Sequence, residues 1–233
     1  MSSETNFETY LLINKKKFIL CVIHNTSFET IYEDEISLSD NSEFKFEMLN
    51  EFLEKNIFKV EKNLKSFVKD IDIILDSKEF FSVKMSIKKN NNGKYIDSKS
   101  LLHPLNDLKK SCQSNFNDKR IIHMLIENYL IDGKNYFSLP KNLKCDFFSL
   151  DVNFICLSNN FINDLELTFK KYHILVNKIL SASYVEKFMD EVDQNIFSTA
   201  SIIKSGLNEN EVSLVSKNYK NKGFFEKFFN FFN

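Results

Sequence analysis

The chain has 233 residues, 43% of them hydrophobic, and its 31 basic and 32 acidic side chains give a formal net charge of −1. That supplies a core for one large or two small domains, and the balanced, interspersed charge excludes the basic footprint that nucleic-acid binding needs. The wealth of Lys, Asn, Ile and Phe, with no Trp and the single Arg120, is the bias of an AT-rich genome, so single Lys or Asn residues carry little functional information. Cys21, Cys112, Cys145 and Cys156 are dispersed, form no CxxC pair and sit mostly in apolar runs, which predicts reduced, buried thiols in a reducing compartment. The opening Met1–Glu8 lacks a basic region followed by an apolar run, and there is no 18-residue apolar stretch, so a cytoplasmic chain is expected unless its tail anchors it.

In chain order, the apolar run Phe18–Ile23 predicts a buried strand, paired antiparallel with Thr30–Leu38 through a turn at 25–27. Spacings of three and four among Phe44, Met48, Phe52, Ile57, Val60, Leu64 and Val68 predict one long or two short helices over 43–68, with Asp40 and Ser42 as candidate N-caps. A strand is expected at Ile71–Leu75, and another at Phe80–Ile87 with Phe81, Val83, Met85 and Ile87 on one face, followed by a turn at 90–93. Leu105–Cys112 reads as a short helix behind Pro104, 120–131 as a strand ended by Gly133, and 143–157 as a strand with Phe148, Leu150, Val152, Phe154 and Cys156 on one face. Helix 159–173, strand 174–180 and a helix around 196–203 complete the pattern of an α/β or α+β protein, with 207–221 polar enough for a tether.

Residues 223–233 carry the sharpest signal. At 100° per residue Phe224, Phe225, Phe228, Phe229, Phe231 and Phe232 fall within an arc of about 160°, while Glu226, Lys227, Asn230 and Asn233 take the opposite arc. Gly223 makes a hinge, and Lys217, Lys220, Lys222 and Lys227 place positive charge beside the apolar face, where anionic headgroups would lie. The membrane-binding residues expected are therefore the six phenylalanines with Lys222 and Lys227; the alternative is a helix that docks in a partner protein's groove.

Two stretches resemble the FtsA family, actin-like bacterial cell-division proteins that link the FtsZ ring to the inner membrane. Between Asp107 and Tyr184 a helix, Asp118–Glu127, Tyr129–Gly133, Pro140, Leu150–Ile155, Ser158–Asn159, a second helix and Ser181–Tyr184 follow the order of that family's passage through its inserted subdomain 1C (SHS2) and back into subdomain 1A. Phe197–Ala200 with Ile202 and Gly206 is similar to the family's last core helix, which precedes a polar linker and an amphipathic membrane helix. The resemblance implies a partial actin-like 1A subdomain from 1–78 plus 165–206, an SHS2-type α+β subdomain over 79–164, a linker over 207–222 and a membrane-targeting helix over 223–233. Only Val185–Asn195 stands where the family carries subdomains 2A and 2B, so a reduced form is implied. It further implies a non-catalytic adaptor, peripheral on the cytoplasmic face of the inner membrane at the division site. Its expected partners are division proteins, with FtsZ among the candidates, and it is expected to self-associate through the 1C-like subdomain.

No cofactor is expected. Actin-like ATPases cradle phosphates on glycine-rich hairpins, because only Gly lets backbone N–H groups approach so closely. Here Gly93, Gly133, Gly206 and Gly223 are isolated, and the segment aligned with the first phosphate loop reads Val22-Ile-His-Asn-Thr-Ser27, without the family's Asp and Gly. His24, His103, His123 and His173 have no His or Cys at metal-ligand spacing, and His24 beside Cys21 lacks an orienting group. Asp70, Asp72 and Asp76 read as a solvated strand face opposite Ile71 and Ile73, and Ser27 and Ser181 lack a nucleophile elbow. The chain is thus expected not to be an enzyme.

Overall fold

A computed structural model describes residues 6–38, 44–192 and 195–213. The fold is mixed α/β with two sheets, and the chain divides into two compact units, Met1–Glu79 with Asn160–Lys204 and Phe80–Asn159 with Ser205–Asn233.

The first unit opens with β1 (Phe7–Ile13), which sequence reading missed, β2 (Lys17–His24) and β3 (Thr30–Ser37), an antiparallel meander. A single helix, α1 (Phe46–Leu64), follows and ends at Lys65 in the left-handed conformation. Its N-cap is Lys45, without a side-chain bond, and the candidate caps Asp40 and Ser42 lie outside the described residues. β4 (Asp70–Leu75) lies parallel to β1. After the excursion into the second unit, α3 (Asn159–Lys170) leads to β9 (Leu175–Ser181), which adds parallel to β4. The strand order is β3-β2-β1-β4-β9, so the strands read at 18–23 and 174–180 do share a sheet. Phe18 stacks on Phe52 of α1, whereas Tyr10, whose side chain points to the other face, meets Phe197 of α6 (Ile196–Lys204). The short helices α4 (Ala182–Glu186) and α5 (Met189–Val192) precede α6. With helices on both faces, all of β1 from Thr9 to Ile13 is buried, as a central strand in a three-layer stack must be.

The second unit is an antiparallel sheet of order β5-β8-β6-β7, built from β5 (Phe81–Tyr95), β6 (Lys119–Ile131), β7 (Lys134–Tyr136) and β8 (Lys144–Ser158). One face packs on α2 (Ser98–Asn115) through Leu101, Leu105, Leu108 and Cys112 against Phe148, Leu150, Val152 and Phe154. The other face is polar, with Ser82, Ser86, Asp151 and Asn153 joined in cross-strand hydrogen bonds. Three expectations change here. Residues 90–93 form a bulge inside β5 rather than a turn, with Asn92 and Gly93 at φ 52° and 68° and the Asn91 amide donating to Lys94 O at 2.7 Å. The helix does not start behind Pro104, because Asp97 and Ser100 form a reciprocal capping box and Pro104 sits inside. The turn at Asp132–Gly133, φ 44° and 82°, closes the β6–β7 hairpin with both residues left-handed, which is what Gly133 permits.

Candidate functional site

Parallel register sets Tyr10 of β1 beside Asp72 of β4. Asp72 was expected on a solvated face, yet it is 2% exposed. The alternation was right and the environment was not: α6 covers the face that Asp70, Asp72 and Ile74 share, and only Asp70, at the strand end, stays in water. The last residue of that helix, Lys204, donates to Asp72, to Glu8 Oε1 at 3.2 Å and to the Tyr10 hydroxyl at 3.4 Å. Tyr10 in turn donates to Glu8 Oε2 at 2.5 Å, and the Asn177 amide donates to Asp72 Oδ1 at 2.8 Å.

Burial pushes the Asp72 carboxyl up, and the ammonium of Lys204 offsets this only in part. Burial also works against the charge on Lys204, but Asp72 and Glu8 together outweigh it and hold its pKa above the ordinary lysine value. The two partners thus shift in directions that argue oppositely about Asp72's charge. We follow Lys204, because one cation facing two carboxylates stays protonated whichever of them carries the proton. Glu8 ends below its usual value, since Lys204 and the donating hydroxyl of Tyr10 overcome its burial. Burial, followed by Asp72 and Glu8, drives the Tyr10 phenol well above its ordinary range. A protonated, fully engaged lysine and a closed carboxylate are poor nucleophile and base. The cluster's chemistry is that of a lock, which fastens the end of α6 to the sheet.

The second site is where the chain runs on from α6. Residues 207–213 were read as part of a free linker, but they are packed. Ile126 N–H donates to Asn210 O at 2.9 Å and Val212 N–H to Met124 O at 2.8 Å, so 210–212 continues the edge of β6 that β7 covers further along. Val212 enters the unit's core at 2% exposure. Tyr129 donates its hydroxyl to Asn210 Oδ1 at 3.1 Å, the Asn210 amide donates to Phe137 O at 2.8 Å, and buried His123 Nδ1 lies 2.8 Å from Glu211 Oε1. Sequence reading missed this anchor because two backbone bonds and one valine leave no periodicity. Beside it lies a cavity of about 740 Å³ lined by Tyr95, Asp97, Tyr129, Pro140 and Ser213.

The expected membrane-binding residues Phe224, Phe225, Phe228, Phe229, Phe231, Phe232, Lys222 and Lys227 lie outside the described residues. No helix among the described residues is long and apolar enough to cross a membrane. The segment aligned with a phosphate loop, 22–27, is the end of β2 and the turn to β3, and the missed β1 makes Asn14–Lys16 the first hairpin turn. Neither turn contains glycine. In both, side chains already engage the backbone N–H groups: Asn14 Oδ1 accepts from Lys16 and Lys17 at 2.9 and 2.8 Å, and His24 Nδ1 accepts from Thr26 and Ser27, both at 3.4 Å. His24 therefore caps a turn, while Cys21 is buried with its thiol raised to about 12 by desolvation and Glu33. All four cysteines are free and buried. Among the described residues no group of three or more His, Cys, Asp or Glu side chains could hold a metal ion.

No protein-family profile matches the chain, and no curated protein matches it. Similarity is found among solved structures. A chain of the PilM–PilN type IV pilus biogenesis complex is similar over 79% of this chain and 50% of its own, with 6% identity and a TM-score of 0.48. The cytoplasmic domain of EpsL, an inner membrane component of the type II secretion system of Vibrio cholerae, is similar over 75% and 55%, with 12% identity and a TM-score of 0.34. A Bacteroides thetaiotaomicron protein with an actin-like ATPase fold and unknown function is similar over 80% and 57%, with 13% identity and a TM-score of 0.34. This chain spans little more than half the length of each of them.

Proposed function

We propose that this chain is a non-catalytic adaptor that lies peripherally on the cytoplasmic face of the inner membrane and recruits division proteins, as a reduced FtsA-like protein. The observation that carries the reading is the complete separation of six phenylalanines from the polar residues between Phe224 and Asn233. Six half-buried rings provide roughly 5–9 kcal/mol gross, against about 1 kcal/mol for each nearby lysine, so apolar insertion leads and charge assists. The anchor at Val212 supports it, because it fixes the chain to the second unit shortly before this segment begins.

The family part of the proposal draws on the sequence order quoted above and on a sheet whose central strand β1 has β2 antiparallel on one side and β4 parallel on the other. The second unit then corresponds to the inserted 1C-type subdomain, through which division proteins are recruited. The glycine-free turns, with their N–H groups already engaged, favour a role without nucleotide.

Replacing Phe225 and Phe229 by Glu sets two carboxylates near the centre of the apolar arc. In flotation with vesicles containing anionic lipid, the wild-type chain is expected to float and the F225E/F229E chain to remain at the bottom, with equal Tm. Equal flotation of both removes the membrane part. A large fall in Tm instead assigns the phenylalanines to a protein core. A fluorescent fusion that coats the membrane without gathering at the septum keeps the membrane part and removes the division part.

A further inference from the structure

Each sheet ends on a strand with one unpaired side, β3 in the first unit and β5 in the second. Such edges display rows of unpaired N–H and C=O groups and invite strand addition, which charged residues ordinarily prevent. Here the charges are sorted by strand. β3 contains Glu33, Asp34 and Glu35 and no basic residue; β5 contains Lys84, Lys88, Lys89 and Lys94 and no acidic one. In a chain of formal net charge −1 this is a local segregation and not a reflection of overall composition. Every residue of β3 is exposed or half-exposed, and so is every residue of β5 from Phe81 to Asn90. Ile31 and Ile36 on β3 are 44% and 38% exposed, large apolar groups left at an open edge.

We infer that copies of this chain associate head to tail, the acidic edge β3 of one adding to the basic edge β5 of the next. Like edges repel, since β3 against β3 sets carboxylates together and β5 against β5 sets ammoniums together; only the unlike pair attracts. The alternation fits as well. Glu33 and Glu35 share one face of β3, with Ile36 on the other, while Lys84 and Lys88 share one face of β5 with Val83, Met85 and Ile87 on the other. Laid side by side, the two strands bring acid to base on one face and apolar to apolar on the other. The ion pairs these residues make within the chain, Lys84 with Glu127, Lys89 with Asp107, Glu35 with Lys17 and Asp34 with Lys59, all involve exposed groups whose partners exchange at little cost. Because the two edges belong to different units of one chain, the contact is heterologous and continues from copy to copy into a ring or a filament. The inference stands on the sheet edges and does not rest on the membrane reading.

Charge reversal tests it on the full chain by sedimentation velocity over a concentration series. The wild type is expected to grow in mass with concentration from the 27.5 kDa monomer and to return to monomer at high salt. K84E/K88E alone and E33K/E35K alone are expected to stay monomeric with unchanged Tm. An equal mixture of the two regains association, because each variant's altered edge meets its complement on the other. A wild type that stays monomeric, single variants that associate as it does, or a mixture that stays monomeric overturns the proposal. So does association that survives both reversals and disappears in F225E/F229E, which would place the contact in the Phe-rich segment.

Discussion

Lys204 and Asp72, 132 residues apart in sequence, form an ion pair inside the first unit, so the last residue of α6 is bound to β4 at the point where the chain leaves that unit. Glu8 and Tyr10 complete the shell around the ammonium. Lys204→Met leaves Asp72 buried without its cation, and breaking a buried pair in this way costs about 3–5 kcal/mol. Urea unfolding of the variant should show that loss, with most of it recovered in D72L/K204M, where apolar groups replace both partners. A loss below about 1 kcal/mol, within the range of an exposed ion pair, would mean that the lock does not hold α6.

The same cluster sets the alkaline limit of stability. Lys204 and Tyr10 both have folded pKa values above their ordinary ones. A group whose pKa is raised on folding contributes stability that is fully present below its unfolded value and is lost as pH rises toward its folded value. Both unfolded values lie at about 10, so stability should hold to about pH 9 and fall above pH 10. Tyr10→Phe removes the tyrosine's share and should flatten the decline. Thermal melts between pH 8 and 11 check this, and an unchanged slope in the variant would contradict it.

With their N–H groups engaged by Asn14 and His24, the turns at 14–16 and 24–27 offer no phosphate cradle. Millimolar ATP with magnesium should therefore leave Tm unchanged. Ligand at 100 times its dissociation constant would stabilise by about 2.7 kcal/mol, which corresponds to a rise of several degrees. Such a rise would defeat the nucleotide-free reading.

Val212→Asp places a carboxylate where a 2% exposed valine packs against Met124 and its neighbours. An unpaired buried charge costs at least about 3 kcal/mol, so the second unit should melt early. Hydrogen exchange should show Ile126 N–H, which donates to Asn210 O in the native chain, losing protection first. Full protection of Ile126 in the variant would show that 210–212 is not what shields this edge.

Much of the fold was legible because it is written in local period. The alternation of Phe148, Leu150, Val152, Phe154 and Cys156 reports a strand with one face in a core, and the three-four spacing from Phe52 to Val60 reports α1. β1 escaped because its apolar run, Tyr10–Ile13, is short and both of its faces are buried, so it does not alternate. The start of α2 was misplaced because Pro104 favours a first turn, whereas the capping box at Asp97 and Ser100 begins the helix earlier and the proline is carried inside.

What the sequence by itself determined is therefore each element's own geometry, the scarcity of glycine at its turns, and the partition of phenylalanine from polar residues over 224–233. Tertiary structure alone decided that Asp72 is a buried partner rather than a wet surface residue, that 210–212 closes the edge of β6, and that an acidic and a basic strand end the two sheets. The physical reason is range. Periodicity is set by the φ and ψ of neighbouring residues and can be read within a dozen positions, while burial depends on which distant segment covers a face. Lys204 reaches Asp72 across 132 positions, and nothing local to either residue records it.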